Sequence, residues 1–291
     1  METLRGSIAM TWIALHTTFW CVPLYVMGCA RLAMPTGKAR VAVGSLMDRI
    51  IDGWVASNRL LVWALRLTAI DARVTNAADL RRDGWYLVVS NHQSWVDIIV
   101  LQNTLLGRIP PLKFFTKREL IWVPLAGAAM WFLGFPYVRR YGRERLAQNP
   151  ELREQDRNAT LKACRGFVVR PTSVLSFLEG TRFTEAKHAA QASPYRYLLN
   201  PRPTGLSYVA TALGDRATAL VDVTIQYPDE VPGFWDFLCG RCRRIDVTVD
   251  TLAVPEALTL IPGDRREVLN RWARELWQAK DRRIADTRTG E

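Results

Sequence analysis

The chain has 291 residues, room for one core of ordinary size plus an appendage, and an excess of Lys and Arg (39) over Asp and Glu (28) that gives a formal net charge of +11. Such a balance favours anionic lipid surfaces, nucleic acid or acidic substrates, but the sequence holds no zinc-finger, RRM or helix-turn-helix signature. Its 11 tryptophans lie in apolar segments instead of alternating with basic residues, which argues against nucleic acid and for membrane contact. Five cysteines, an odd number, argue against a disulfide scaffold; the single Cys239-Gly240-Arg241-Cys242 pair has no second pair at zinc spacing, so no metal site is expected.

Residues 8–30 contain no Asp, Glu, Lys or Arg, a run long enough to cross a bilayer core as a helix, with a kink expected at Pro23. Trp12, Trp20 and Tyr25 are expected at the interfaces, and the basic cluster Arg31, Lys38, Arg40 after the run places the remaining chain on the cytoplasmic side. A signal peptide fits poorly, because the residues before the run carry only Arg5 against Glu2 and the run is long. A second helix, over about residues 46–70, is apolar on one face and interrupted by Asp48, Arg49, Asp52, Arg59 and Arg66, a pattern that lies in an interface more readily than it spans. These helices form a predicted anchoring unit, residues 1–71, ahead of a catalytic domain over residues 72–291.

That domain opens with Tyr86-Leu87-Val88-Val89, a short apolar run after Asp83-Gly84 that predicts a buried strand. The strand delivers Asn91-His92-Gln93-Ser94-Trp95-Val96-Asp97 to its carboxyl end, where reactive groups of α/β sheets collect. A separation of five puts two side chains roughly 140° apart on one helix, so His92 is expected in the turn. Asp97, on the first turn of the following helix, then reaches back to its Nδ1–H and leaves Nε2 free to take a proton. A structural hydrogen bond between the two is the simpler alternative.

Residues 120–138 are uncharged but hold Pro124, Gly127, Gly134 and Pro136, which predicts buried or re-entrant structure, or a core helix followed by a strand. A second apolar strand, residues 173–177, ends in Glu179-Gly180-Thr181-Arg182. There glycine lets backbone approach a ligand and arginine offers a fork for phosphate or carboxylate. Residues 183–203 show no clear period, and His188 reads as a solvated loop histidine. Further strands are expected over 219–227 and 245–251. Asp264-Arg265-Arg266-Glu267 looks like a capping box opening a helix with Val268, Leu269, Trp272 and Leu276 on its apolar stripe and Lys280 and Arg283 among its charges; that helix docks on the sheet or rests on the membrane.

Together these residues resemble the glycerolipid acyltransferases, the PlsC-like 1-acylglycerol-3-phosphate family, whose hallmarks are NHxxxxD followed by FPEGTR. Between the two, the segment from Lys117 through Pro124 to Gly127 is similar to the family's Lys–Pro–Gly block, and Gly134 to Arg140 to its glycine-to-arginine block. Leu178 stands where the family has proline, and Asp222 where a Val-Pro pair is expected; the variant is most similar to the bacterial YihG-like branch and its lysocardiolipin-acyltransferase relatives. The resemblance implies an α/β fold, a mixed sheet flanked by helices. It also implies acyl transfer at a bacterial inner membrane from acyl-CoA or acyl carrier protein to a lysophospholipid hydroxyl, lysophosphatidate first, with no cofactor. His92 and Asp97 would be catalytic. Arg140, Arg182 and Lys117 would hold the head group, with Gly180 and Thr181 lining the site. Glu179 would hydrogen-bond the acceptor or, as favoured here, hold Arg182. A non-catalytic membrane adaptor that binds anionic phospholipid is the alternative, although such a module has no use for a base.

Overall fold

The structure, a computed structural model, describes residues 1–138, 149–259 and 265–289. Six strands form its central sheet: β1 (Ala69–Thr75), β2 (Trp85–Ser90), β3 (Leu112–Phe114), β6 (Thr172–Phe177), β7 (Ala217–Gln226) and β8 (Arg244–Leu252), in the spatial order β1-β8-β7-β2-β6-β3. Two short strands, β4 (Thr116–Lys117) and β5 (Tyr137–Val138), pair beside it. Every ladder is parallel except β7–β8, so the expected mixed sheet is present.

The near-continuous apolar sequence of β2 follows from its place between β6 and β7, where helices cover both faces of a parallel sheet. Because strand side chains alternate, Tyr86 and Val88 face one core with α3 (Val96–Leu105), while Leu87 and Val89 face a second core with α7 (Thr204–Leu213) and α10 (Arg265–Thr289).

α1 (Glu2–Ala33) and α2 (Lys38–Ala64) form an antiparallel pair on the first face. One side of α1 is buried through Gly6, Ala9, His16, Leu24 and Gly28, and the other exposes Leu4, Ile8, Leu15, Phe19, Val22 and Val26. It is the one helix among the described residues long and apolar enough to cross a membrane. Two of the three aromatic residues expected at the interfaces are half-buried and tie α1 to its neighbours. The Trp20 indole donates to Ser57 Oγ (3.2 Å) on α2, and the Tyr25 hydroxyl donates to the carbonyl of Leu125 (2.5 Å). α2 also ends earlier than its apolar pattern suggests: Arg66 adopts φ 49°, and Ile70 already lies in β1.

Residues 120–138 contain a helix followed by a strand, one of the two expected forms, but the helix is largely exposed and not a core helix. A 3₁₀ turn (Arg118–Trp122) leads into α4 (Ala126–Leu133), which buries only Gly127 and Leu133. Leu120, Ile121, Trp122, Val123, Leu125 and Trp131 therefore face outward beside α1, where the Phe132 ring packs on Gly28.

Further on, α5 (Pro150–Cys164) is capped by Asn149, whose side chain accepts from Leu152 N–H (3.1 Å). His188 belongs to the short α6 (Glu185–Ala190) and is half-buried, with Nε2 2.6 Å from the Tyr195 carbonyl, so it is not a solvated loop residue. α8 (Phe234–Leu238) and α9 (Glu256–Thr259) are single short turns.

α10 docks on the sheet through Leu269, Ala273, Trp277 and Ile284, and Val268 is exposed. Lys280, counted above among the charges of this helix, is buried there: its ammonium lies 2.7 Å from Asp222 and donates to the Val223 carbonyl (2.7 Å) and Thr224 Oγ1 (3.0 Å). This pairing gives a physical reason for the carboxylate in the middle of β7. Asp264, the proposed capping residue, lies outside the described residues.

Candidate active site

The turn after β2 is pinned before His92 is reached. The Asn91 amide donates to the Ile225 carbonyl (2.8 Å) and accepts from Ile225 N–H (2.9 Å), a two-point bridge to the neighbouring β7. His92 follows at the carboxyl edge of the sheet, its ring stacked on Phe177 at a centroid distance of 3.9 Å and an interplanar angle of 13°.

Asp97 sits in the first turn of α3 and is fully buried. Its Oδ2 lies 2.9 Å from His92 Nδ1 and accepts the backbone N–H groups of Gln93 (2.6 Å) and Ser94 (2.9 Å); Oδ1 accepts the Tyr227 hydroxyl (2.5 Å). An ionised carboxylate only accepts, so Nδ1 is the protonated nitrogen of the ring and Nε2 keeps its lone pair. Burial and the adjacent Asp97 charge push the Tyr227 hydroxyl well above its ordinary pKa, which keeps it a donor.

The second strand end is arranged otherwise than expected. Glu179 does not hold Arg182. It is fully buried, and its two oxygens accept the backbone N–H groups of His92 (2.9 Å) and Leu199 (2.9 Å), so it clamps the main chain of His92. Burial raises its carboxyl from 4.5 to about 7, against the opposing pull of those two N–H bonds; the Asp97 charge adds to the rise and Lys280 opposes it.

Gly180 takes φ +69°, a conformation that costs glycine little, and its N–H closes the turn on the Phe177 carbonyl (2.9 Å). The Arg202 side chain lies over this turn, with Cδ 3.5 Å from where a Cβ of residue 180 would be. Thr181 Oγ1 accepts from Lys187 Nζ (2.8 Å), which also donates to the Arg182 carbonyl (2.9 Å). Arg182 itself is exposed, its guanidinium 4.8 Å from the centre of the Trp95 ring. Phe183 N–H donates to the His92 carbonyl (2.7 Å) and ties the two turns together. His92, Asp97, Glu179, Gly180, Thr181 and Arg182 thus share one edge of the sheet. Arg140 and the side chain of Lys117 lie outside the described residues.

Beside these turns runs an open apolar groove of about 520 Å³, lined by Ile13, Trp54, Ile98, Ile99, Phe234 and Trp95. Trp95 therefore borders the groove and also carries Arg182.

A family profile described as Acyltransferase matches residues 71–226, more than half of the chain. The chain belongs to the Acyltransferase family. Among curated relatives, 1-acyl-sn-glycerol-3-phosphate acyltransferase gamma of Mus musculus is 27% identical over 208 residues, 67% of this chain and 51% of that protein. Lysocardiolipin acyltransferase 1 of Danio rerio is 27% identical over 300 residues, 98% of this chain and 71% of that protein. This acyltransferase chain thus spans about half the length of the first of these relatives. Its fold is similar to that of PlsC, the 1-acyl-sn-glycerophosphate acyltransferase of Thermotoga maritima, with a TM-score of 0.56 at 14% identity and 98% of each chain covered.

Sequence reasoning passed over Asn91, Tyr227 and Trp95 as participants. Asn91 and Trp95 lie inside the recognised motif, where their type carried a signal. Tyr227 ends an expected strand, and nothing near it in the sequence points to Asp97, 130 residues away.

Proposed function

We propose that this acyltransferase moves a fatty acyl group from acyl-CoA or acyl carrier protein to the free hydroxyl of a lysophospholipid, with 1-acylglycerol-3-phosphate the first candidate acceptor and phosphatidate its product. The observation that carries the reading is the His92–Asp97 pair, whose geometry leaves Nε2 unprotonated at the sheet edge. Nε2 takes the proton of the acceptor hydroxyl as that oxygen attacks the thioester carbonyl, and Asp97 stabilises the imidazolium. When the carbon–sulfur bond breaks, the proton passes to the departing thiolate, and free thiol is the second product. Arg182, with Arg140 and Lys117, holds the acceptor phosphate so that the hydroxyl lies in attacking geometry. Gly180 shapes that turn and Thr181 anchors Lys187 beside it. Glu179 acts through the backbone of His92 and does not touch the acceptor.

The groove beside Trp95 is open and apolar, which suits an acyl chain. Residues 1–71 attach the protein to the membrane through the exposed face of α1, with the catalytic residues on the cytoplasmic side of a bacterial inner membrane. The test is thiol release from acyl-CoA and from acyl carrier protein against a panel of lysophospholipids. Turnover strongest with lysophosphatidate is expected. Turnover confined to lysocardiolipin would move the acceptor assignment, and a folded protein with no turnover on any pair would leave phospholipid binding without catalysis.

A further inference from the structure

At the opposite end of the sheet the helical pair meets the strands around a second group of charges. Arg170, two residues before β6, grips Asp48 of α2 with both arms of its fork, Nε to Oδ2 at 2.6 Å and Nη2 to Oδ1 at 3.0 Å. Lys113 on β3 lies 4.0 Å from the same carboxylate. Arg31, in the last turn of α1, completes the group: a Cβ at Gly44 would lie 2.5 Å from Arg170 Nη1 and 3.5 Å from Arg31 Cζ. A larger residue at position 44 would crowd the Arg170 guanidinium, while Arg31 lies at ordinary contact distance.

Among the described residues, one carboxylate therefore faces three cations, and Arg170 already takes both of its oxygens. Lys113 is 4% exposed, and the ammonium is pushed down to about 8 by burial and by the charges of Arg170 and Arg31, against the pull of Asp48. Arg31 Nε is buried without a hydrogen-bond partner among the described residues. Burying like charges beside one another is unfavourable unless an anion joins them. The Arg31 fork, whose Nη1 also reaches the Phe132 carbonyl (3.5 Å), suits the oxygens of a phosphate.

We propose that Arg31, Lys113 and Arg170 form a second anion site that binds a phosphate group, either that of an anionic lipid headgroup or free phosphate. Arg31 ends the apolar α1, where headgroups would lie if that helix enters a bilayer. The group is set back from the His92 end of the sheet: Lys113 pairs with Val174, three positions before the β6 residue level with the end of β2, roughly 10 Å along a strand, and Arg170 lies four positions further back. The inference does not depend on the proposed reaction.

The test is binding, not turnover. The full-length protein in neutral detergent is titrated calorimetrically with dihexanoyl-phosphatidylglycerol, with dihexanoyl-phosphatidylcholine and with inorganic phosphate. Saturable binding is expected, weakened about tenfold or more by Arg31→Gln and by Lys113→Met, the loss of one charge-assisted hydrogen bond. Arg31→Gln, at the half-buried position, tests the site where Lys113→Met fails to fold. In Arg182→Gln, which weakens the proposed acceptor clamp, the binding that Arg31 and Lys113 support is expected to persist. Binding of phosphatidylglycerol alone identifies a headgroup as the source, and equal binding of inorganic phosphate identifies the free anion. No binding in any arm, or binding lost in Arg182→Gln but intact in Arg31→Gln and Lys113→Met, overturns the proposal.

Discussion

The turns after β2 and β6 leave the sheet side by side but are held in different ways. After β2, Asn91 is bridged to β7, His92 is bound at its Nδ1, N–H and carbonyl, and Asp97 accepts four donors. After β6, Glu179 is as deeply buried, yet three residues later Arg182 is exposed, its guanidinium over the Trp95 ring. A base is useful only if its ring holds one orientation and one tautomer, whereas a head-group clamp must admit and release its ligand. The difference fits the proposed roles, a proton-transfer pair fixed by many hydrogen bonds and an exposed cation that a ligand can reach.

The sharpest way to break this contrast is Asp97→Asn. The amide keeps the size of the side chain but turns an NH₂ towards either His92 or the backbone donors, which favours the wrong imidazole tautomer. Acyl transfer should fall by roughly 10²–10⁴-fold with the fold retained. A steady-state assay alongside circular dichroism checks this, and a folded variant with undiminished turnover would reduce the pair to a structural hydrogen bond.

Arg182→Lys should have a smaller effect, about tenfold, because the charge remains while the planar fork and its stacking on Trp95 are lost. The loss should fall on transfer to the lysophospholipid and spare slow hydrolysis of acyl-CoA by water. Equal loss in both reactions would place Arg182 on the donor or in the fold.

The smallest effect concerns Glu179, whose carboxyl is raised from 4.5 to about 7 chiefly by burial. The folded state therefore binds that proton more tightly than the unfolded state. The stabilisation is complete below 4.5 and is lost as pH rises through about 7. Relative to Glu179→Gln, the wild type should lose stability across that window in denaturant melts. A difference that does not change with pH would show that Glu179 stays ionised when folded.

Where chemistry and fold are written locally, the sequence was readable. The buried β2, the five-residue step from His92 to Asp97, and the polar end of β6 all lie within short segments whose residue types carry their own physical meaning. Contacts across long separations were not readable. Lys280 looks like one more cation on a basic helix until Asp222, 58 positions earlier in the chain, is placed opposite it. Glu179 followed by Arg182 invites pairing between near neighbours, but burial sends its oxygens to the backbone of His92 and Leu199. β1 escaped notice because it is an edge strand with little buried surface, defined by its pairing with β8 and not by an apolar run.

The central claim is that His92 removes the acceptor's proton. It is tested most directly by single-turnover transfer of a labelled acyl group from acyl-CoA to lysophosphatidate on vesicles, wild type against His92→Ala. The account predicts a fall of roughly 10²–10⁴-fold in the transfer step, with vesicle binding and circular dichroism unchanged. A folded, vesicle-bound His92→Ala protein that transfers the acyl group at the wild-type rate would contradict it.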